Sequence, residues 1–287
     1  ADGEEHVVRP VPAHKLEEKT CLKNFEGDVY SGVSSLIQDN FKLIKDAKPD
    51  VSKNSAGYYL WNVWGREYFD LNKLIVGSQG TLGLITRVRL KLIQKKKYSR
   101  LAVIFLEDLG KLPAIIKKVL EFKPESFEAY DDKTIRLAVK FMPSLLHSLK
   151  FRAIRLGWQF LPELFMIIAG GVPKLVLLAE ITGNDKAEMG KRLAALKKSI
   201  SEKFKIKSRI TKSDSETEKY WIIRRESFNL LRGHVKDRQT APFIDDLIVK
   251  PEYLGEFLPR LNEIISNYGS KMISTLAGHA GDGNFHV

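Results

Sequence analysis

Lys174-Leu-Val-Leu-Leu-Ala-Glu-Ile-Thr182, followed by Lys186 to Phe204, decides the fold class. Leu175, Leu177 and Ala179 alternate with Val176, Leu178 and Glu180, the side-chain period of a strand. Lys186 to Phe204 reads as a helix. The same order recurs on both sides. Upstream, Leu101 to Leu106 reads as a strand, Leu109 to Phe122 as a helix and Ser126 to Tyr130 as a strand, with helical segments over 133–149 and 158–170. Downstream, Lys205 to Ile210 is a strand, Ser215 to Arg232 a helix, Ile244 to Val249 a strand closed by Pro251, Leu254 to Tyr268 a helix and Lys271 to Ala277 a strand. This order predicts an α+β domain with helices packed on one antiparallel sheet.

A basic linker over 94–100 marks the expected domain boundary. Before it, residues 4–12 read as a short strand ending at Pro10 and Pro12. Val33, Leu36, Ile37, Phe41, Leu43 and Ile44 give a helix over 28–47, and 49–65 is irregular and aromatic-rich. Lys73 to Val76 reads as a strand, Gly77-Ser-Gln-Gly-Thr-Leu-Gly83 as a glycine turn, and Leu84 to Leu92 as a second strand. In that strand Arg87, Arg89 and Lys91 alternate with Val88, Leu90 and Leu92.

The 287 residues allow two domains of ordinary size, and 44% hydrophobic with 29% charged residues describes a globular chain rather than a disordered one. A net charge of +12 favours anionic ligands or surfaces. The densest basic run, Lys95-Lys96-Lys97 with Arg100, reads as a solvated linker, and no nucleic-acid-binding spacing accompanies it. The single cysteine, Cys21, excludes an intramolecular disulfide and a cysteine-ligated cluster within this chain. The start, Ala1 to Glu5, lacks the regions of a signal peptide. The apolar stretch Ala153 to Val172 carries Arg155, Pro162 and Glu163, and is too short between charges to span a bilayer. Peripheral membrane contact stays open there. Both ends read as cut, within a domain at the start and within a strand at Val287.

Three stretches carry chemistry. Amides in a tight Gly77–Gly83 loop form an anion-binding concavity suited to a pyrophosphate, although taken alone the loop reads as a plain turn. His279-Ala-Gly-Asp-Gly-Asn-Phe-His286 folds as a hairpin on an Asp282-Gly283 turn, which sets His279 directly opposite His286. Two imidazoles on one face suit a divalent metal or an acid–base pair, the bland alternative being two incidental histidines. A tight metal site needs a third ligand, and none is visible nearby. Arg224, next to Trp221 on a predicted helix, has the fork that clamps a carboxylate; alone, that segment reads as a solvated face. Asp245 and Asp246 point to opposite faces of a strand, which argues against a glycosidase-like pair.

Lys73 to Leu92, KLIVGSQGTLGLITRVRLKL, resembles the end of the FAD-binding domain in the FAD-linked oxidase family of vanillyl-alcohol-oxidase type, which includes glycolate oxidase catalytic subunits and D-lactate and D-2-hydroxyglutarate dehydrogenases. Lys53 to Tyr58, Trp221 to Glu226, Pro242 to Pro251 and Gly278 to Val287 resemble further stretches of that family. The resemblance implies that residues 1–97 are the C-terminal portion of an FAD-binding domain. Residues 98–287 would be a ferredoxin-like substrate or cap domain, incomplete at its C-terminus. It implies FAD contacts from Gly77, Ser78, Gly80, Thr81, Gly83 and Ile85, and a substrate carboxylate held by Arg224. His279 and His286 would bind a divalent ion of the zinc or manganese kind, and Asn284 would line the same pocket. The implied reaction oxidises a small D-2-hydroxy acid by hydride transfer to flavin. An electron acceptor or iron–sulfur partner protein would lie on another chain, and the single cysteine with the start lacking signal-peptide regions agrees with a cytoplasmic location, peripheral contact at the inner membrane face staying open. Gln79 stands where the family has Glu. The N-terminal flavin loop and the downstream metal-ligand Glu have no counterpart in the sequence. A docking subunit of a flavoprotein complex is the competing reading, with a basic nucleic-acid- or membrane-binding protein as a third.

Overall fold

The computed structural model describes residues 3–54, 57–140, 171–234, 246–269 and 273–287, the side chains of 226–234 excepted. The expected helices over 141–149 and 158–170, most of the apolar stretch 153–172, and His147 lie outside them. The chain divides into two compact units, 1–93 and 94–287.

In the first unit, β1 (Val11–Pro12) pairs antiparallel with β2 (Tyr68–Phe69), the short remnant of the strand expected over 4–12. Around this pair lie α1 (Leu16–Thr20), α2 (Phe25–Asp39), α3 (Phe41–Asp46) and α4 (Asn72–Ile75). Asn24 caps α2, its side chain accepting from Gly27 N at 3.0 Å. The helix expected over 28–47 is two helices, interrupted at Asn40, which leaves helical geometry at φ −114° and ψ 19°. Tyr30 and Ile37 of α2 bury against Val11, Leu16, Val63, Phe69 and Leu71.

Two expected strands are corrected here. Lys73 to Val76 is the body of α4 and its last cap. Asp70 turns the chain into it, accepting from Asn72 N at 3.1 Å and Asn72 Nδ2 at 2.8 Å. Leu84 to Leu92 has the alternation of a strand but pairs with no strand among the described residues. Leu84 is 94% exposed and Ile85, of the opposite parity, 59%, so neither face of the segment is covered. Period alone does not make a sheet; the backbone groups need a second strand.

The second unit is α+β. Its strands are β3 (Tyr98–Leu106), β4 (Ser126–Asp131), β5 (Leu175–Gly183), β6 (Ser208–Ile210), β7 (Asp246–Ile248), β8 (Ala277–His279) and β9 (Asn284–His286). They form one sheet in the order β6-β3-β5-β4-β8-β9-β7, and every pair is antiparallel. β8 starts at Ala277, where the sequence predicts a strand over 271–277.

Helices α5 (Leu112–Leu120), α7 (Lys186–Phe204) and α9 (Leu254–Ser266) cover one face of this sheet; α6 (Asp132–Lys140) and α8 (Asp214–His234) cover the other. Met189, Leu193, Leu196 and Ile200 recur at helical spacing on α7 and bury against Ile104, Leu177 and Ala179. Asp185 begins that helix by accepting from Glu188 N at 2.8 Å, and Lys205 ends it in the left-handed region at φ +55°. The opposite face buries Leu101, Val103, Tyr130, Val176, Leu178 and Ala277 under Ile135, Ala138, Tyr220 and Ile223. Covered on both sides, β5 is apolar at both parities; each fully buried leucine stabilises the fold by roughly 2–3 kcal/mol. Among the described residues no helix is long and apolar enough to cross a membrane.

Candidate functional site

The sheet face under α6 and α8 ends in a polar group. Along β4 the residues alternate, Phe127 and Ala129 entering one core while Tyr130 enters the other. Glu128 has the parity of Tyr130, which turns it beneath α8. Its register partner on β8 is His279. Glu128 Oε1 lies 3.0 Å from His279 Nδ1, and Oε2 accepts from Arg224 Nε at 3.0 Å. The Glu128 and Arg224 side chains are 12% and 18% exposed, so that contact lies under cover, while the His279 side chain is 35% exposed.

A second carboxylate makes a similar arrangement three strands away. Asp246 on β7 is in register with His286 on β9, and its Oδ1 lies 3.0 Å from His286 Nδ1. The same oxygen accepts from Asn284 Nδ2 at 2.9 Å, and Asn284 is buried. The two imidazole rings meet edge to face with centroids 5.9 Å apart.

The hairpin differs from the expected one. His279 is in register with Asn284, and His286 with Ala277; the two histidines are diagonal neighbours. The turn is a 3-10 segment, Ala280–Asp282, closed by Gly283 at φ +70°, so it takes four residues instead of two. Ala280 is fully buried in the core under α5 and α9, and pulling it inward lengthens the turn. Diagonal positions still allow long side chains to touch, which is why the rings meet despite the shift.

A carboxylate only accepts hydrogen bonds, so the imidazole nitrogen facing it is the one that bears hydrogen. In a neutral ring so placed, Nδ1 is the N–H and Nε2 carries the lone pair. The carboxylates flank the β8–β9 pair from its two outer sides. In each ring Nε2 lies on the side away from the carboxylate that faces Nδ1. This is a proton-accepting or ligand-donating arrangement, with the orientation of each ring set from behind. Among the described residues no group of three or more His, Cys, Asp or Glu side chains is placed to hold a metal ion. Glu128 and Asp246 stand on the Nδ1 side and are backing groups for the rings.

The structure thus brings Arg224, His279, Asn284 and His286 together, and adds Glu128 and Asp246. Arg225 lies over the Trp221 ring, its Cζ 5.7 Å from the centroid. Glu128 was legible only as an oddity, a charge at a buried parity in a strand with two covered faces. A cleft of about 620 Å³ lies elsewhere, lined by Asp108, Asp131, Lys133, Lys174, Leu258 and Asn262, and takes in none of the six.

In the other unit, the Gly77–Gly83 loop adopts left-handed backbone at Gly77, Gln79 and Gly80, with φ of +86°, +53° and +78°. A Cβ added at Gly77, Gly80 or Gly83 would meet nothing within 4 Å, so the loop offers its backbone to open space. Ser78 N and Thr81 N close the turn internally, onto Ile75 O and Ser78 O, and Tyr58 Oη bonds Thr81 Oγ1 at 2.8 Å. The conformation fits a loop that lets an anionic group approach its main chain.

Residues 95–287 match the family described as FAD linked oxidases, C-terminal domain. The chain is similar to a D-2-hydroxyglutarate dehydrogenase of Escherichia coli (strain K12), 23% identical over 98% of this chain and 27% of that protein. It is also similar to D-lactate dehydrogenase [cytochrome] 1, mitochondrial, of Saccharomyces cerevisiae, at 26% identity over 82% of this chain and 35% of that protein. A third relative is glycolate oxidase subunit GlcD of Bacillus subtilis, 23% identical over 76% of this chain and 40% of that protein. The chain spans about a quarter of the length of the D-2-hydroxyglutarate dehydrogenases it matches, 27% for the E. coli protein.

Proposed function

The chain belongs to the FAD linked oxidases through their C-terminal domain, and on that premise we propose that the whole protein oxidises a small D-2-hydroxy acid to the 2-oxo acid. Lactate, glycolate and 2-hydroxyglutarate define the substrate class, in keeping with the names of the relatives. The observation that carries the reading is the carboxylate-backed pair of imidazoles beside an arginine held by the same carboxylate.

Arg224 orients the substrate carboxylate; a guanidinium has five donors in a rigid fork, and Glu128 engages it at Nε. His279 takes the 2-hydroxyl proton on Nε2. The imidazolium so formed is stabilised by the Glu128 carboxylate at Nδ1. His286, backed by Asp246, and Asn284 line the same space and hold the hydroxyl and its neighbouring oxygen. FAD, when bound, supplies the acceptor for the hydride leaving C2, and the backbone of Gly77, Ser78, Gly80, Thr81, Gly83 and Ile85 would hold its diphosphate side. Among the described residues two imidazoles fall short of the three protein ligands of a catalytic zinc site, so a zinc ion does not fit this donor set. In this reading residues 1–97 end a flavin-binding domain of vanillyl-alcohol-oxidase type, and 98–287 are its ferredoxin-like substrate domain.

The test is flavin absorbance of the full-length protein under anaerobic conditions. D-lactate, glycolate or D-2-hydroxyglutarate bleaches it, and His279→Gln slows the bleaching by about 10²–10⁴-fold. A flavin-loaded protein that none of the three bleaches refutes the proposal.

A further inference from the structure

We infer that Glu128 is a positioning residue, one carboxylate that sets the tautomer of His279 and the orientation of Arg224 together. What those two side chains then do rests on the functional reading above; the positioning does not.

Each oxygen of Glu128 serves one partner: Oε1 faces His279 Nδ1 at 3.0 Å and Oε2 accepts from Arg224 Nε at 3.0 Å. The carboxylate is held there from both sides, since Glu128 is in register with Leu178 on β5 and with His279 on β8. Its side chain is 12% exposed, and a carboxylate under such cover needs hydrogen-bonding or charged partners. Arg224 supplies the charge and His279 supplies an N–H. A neutral imidazole in water favours the opposite tautomer, with its hydrogen on Nε2. The contact with Glu128 reverses that preference and leaves the lone pair on Nε2, on the side of the ring away from the carboxylate. Asp246 faces His286 Nδ1 at the same 3.0 Å, but from a separate strand, with Asn284 in place of the arginine and with its side chain 56% exposed. The two histidines therefore face separate carboxylates, and the one at His279 also holds Arg224.

The near-isosteric Glu128→Gln variant separates these roles. Arginine cannot accept a hydrogen bond, so the new amide oxygen must face Arg224 Nε and its NH2 must face His279 Nδ1. That nitrogen then has to accept, and the imidazole hydrogen moves to Nε2. The measurement is the nitrogen-15 shift pattern of histidine-labelled full-length chain near neutral pH, with His279→Gln and His286→Gln to assign the signals. In the native chain both histidines carry hydrogen on Nδ1. In Glu128→Gln, and in Glu128→Leu where the acceptor is gone, the Nδ1–H form of His279 falls from the dominant to the minor species while His286 is unchanged. Asp246→Leu gives the converse. Unchanged signals from His286 also report that the sheet is intact. If His279 keeps its hydrogen on Nδ1 in Glu128→Gln, the inference is wrong. The readout needs neither flavin nor hydroxy acid, so a failure of turnover refutes the functional reading alone.

Discussion

Gly283→Ala tests the hairpin that carries the site. Gly283 closes the β8–β9 turn at φ +70°, and a Cβ there would lie 1.8 Å from the carbonyl oxygen of Val249 and 3.4 Å from Pro251 N. The left-handed backbone alone costs a residue with a Cβ about 1–2 kcal/mol. The obstructing atom is main chain, not the end of a flexible side chain, so the segment after β7 must shift, and such overpacking costs about 1–3 kcal/mol more. The shift also strains the bond from Val249 N to Gly283 O, now 3.0 Å. Together these predict a loss of about 2–5 kcal/mol. Urea unfolding of the full chain, followed by backbone circular dichroism with amide exchange at Val249, measures it. Gly190→Ala is the control, because a Cβ in the interior of α7 meets nothing within 4 Å; it should stabilise by about 0.5–1 kcal/mol. A Gly283→Ala chain within about 0.5 kcal/mol of the native one would refute the placement of the turn.

Leu177→Ala, at the centre of the covered sheet, should lose about 2–5 kcal/mol, whereas Leu84→Ala, at 94% exposure, should stay within about 0.5 kcal/mol in the same urea titration. Asp185→Ala removes the acceptor for Glu188 N and should cost about 0.5–2 kcal/mol, with Asp185→Asn close to native in thermal melts. Burial pushes the Asp131 carboxyl above its usual range, against the opposing hydrogen bonds from Thr134. The folded chain therefore holds that proton more tightly than the unfolded one. The stability this contributes is complete below the unfolded pKa of about 3.9 and is lost as pH rises through the raised folded value. Asp131→Asn keeps an acceptor for Thr134 and should flatten that fall when urea midpoints are compared across the window; an identical slope in the variant would count against it.

Much of the second unit was legible because its elements answer to local rules. Lys186 to Phe204 has a capping aspartate before it and an apolar stripe along it, and the helix is found with those bounds. The stretches that misled are those where one pattern serves two structures. Lys73-Leu-Ile-Val76 is an apolar run too short for periodicity to separate strand from helix, and a turn set by Asp70 makes it helical. Leu84 to Leu92 has the alternation of a half-buried strand, yet alternation says which side chains share a face and nothing about what pairs with the backbone.

The site divides in the same way. His279, His286, Asn284 and Arg224 stood out in the sequence because the types are reactive and three of them lie within eight residues. Their partners did not. Glu128 is more than 90 positions from Arg224 and 150 from His279, and Asp246 sits 40 before His286. Sequence by itself determined the local chemistry: an apolar β5, an amphipathic α7, a glycine-rich loop with left-handed backbone, and two imidazoles a hairpin apart. Only the tertiary structure decided the register of that hairpin and which carboxylate stands behind each ring. Register depends on how Ala280 seats in the core and how Gly283 clears Val249. Those contacts join residues from separate elements, and no spacing along the chain encodes them.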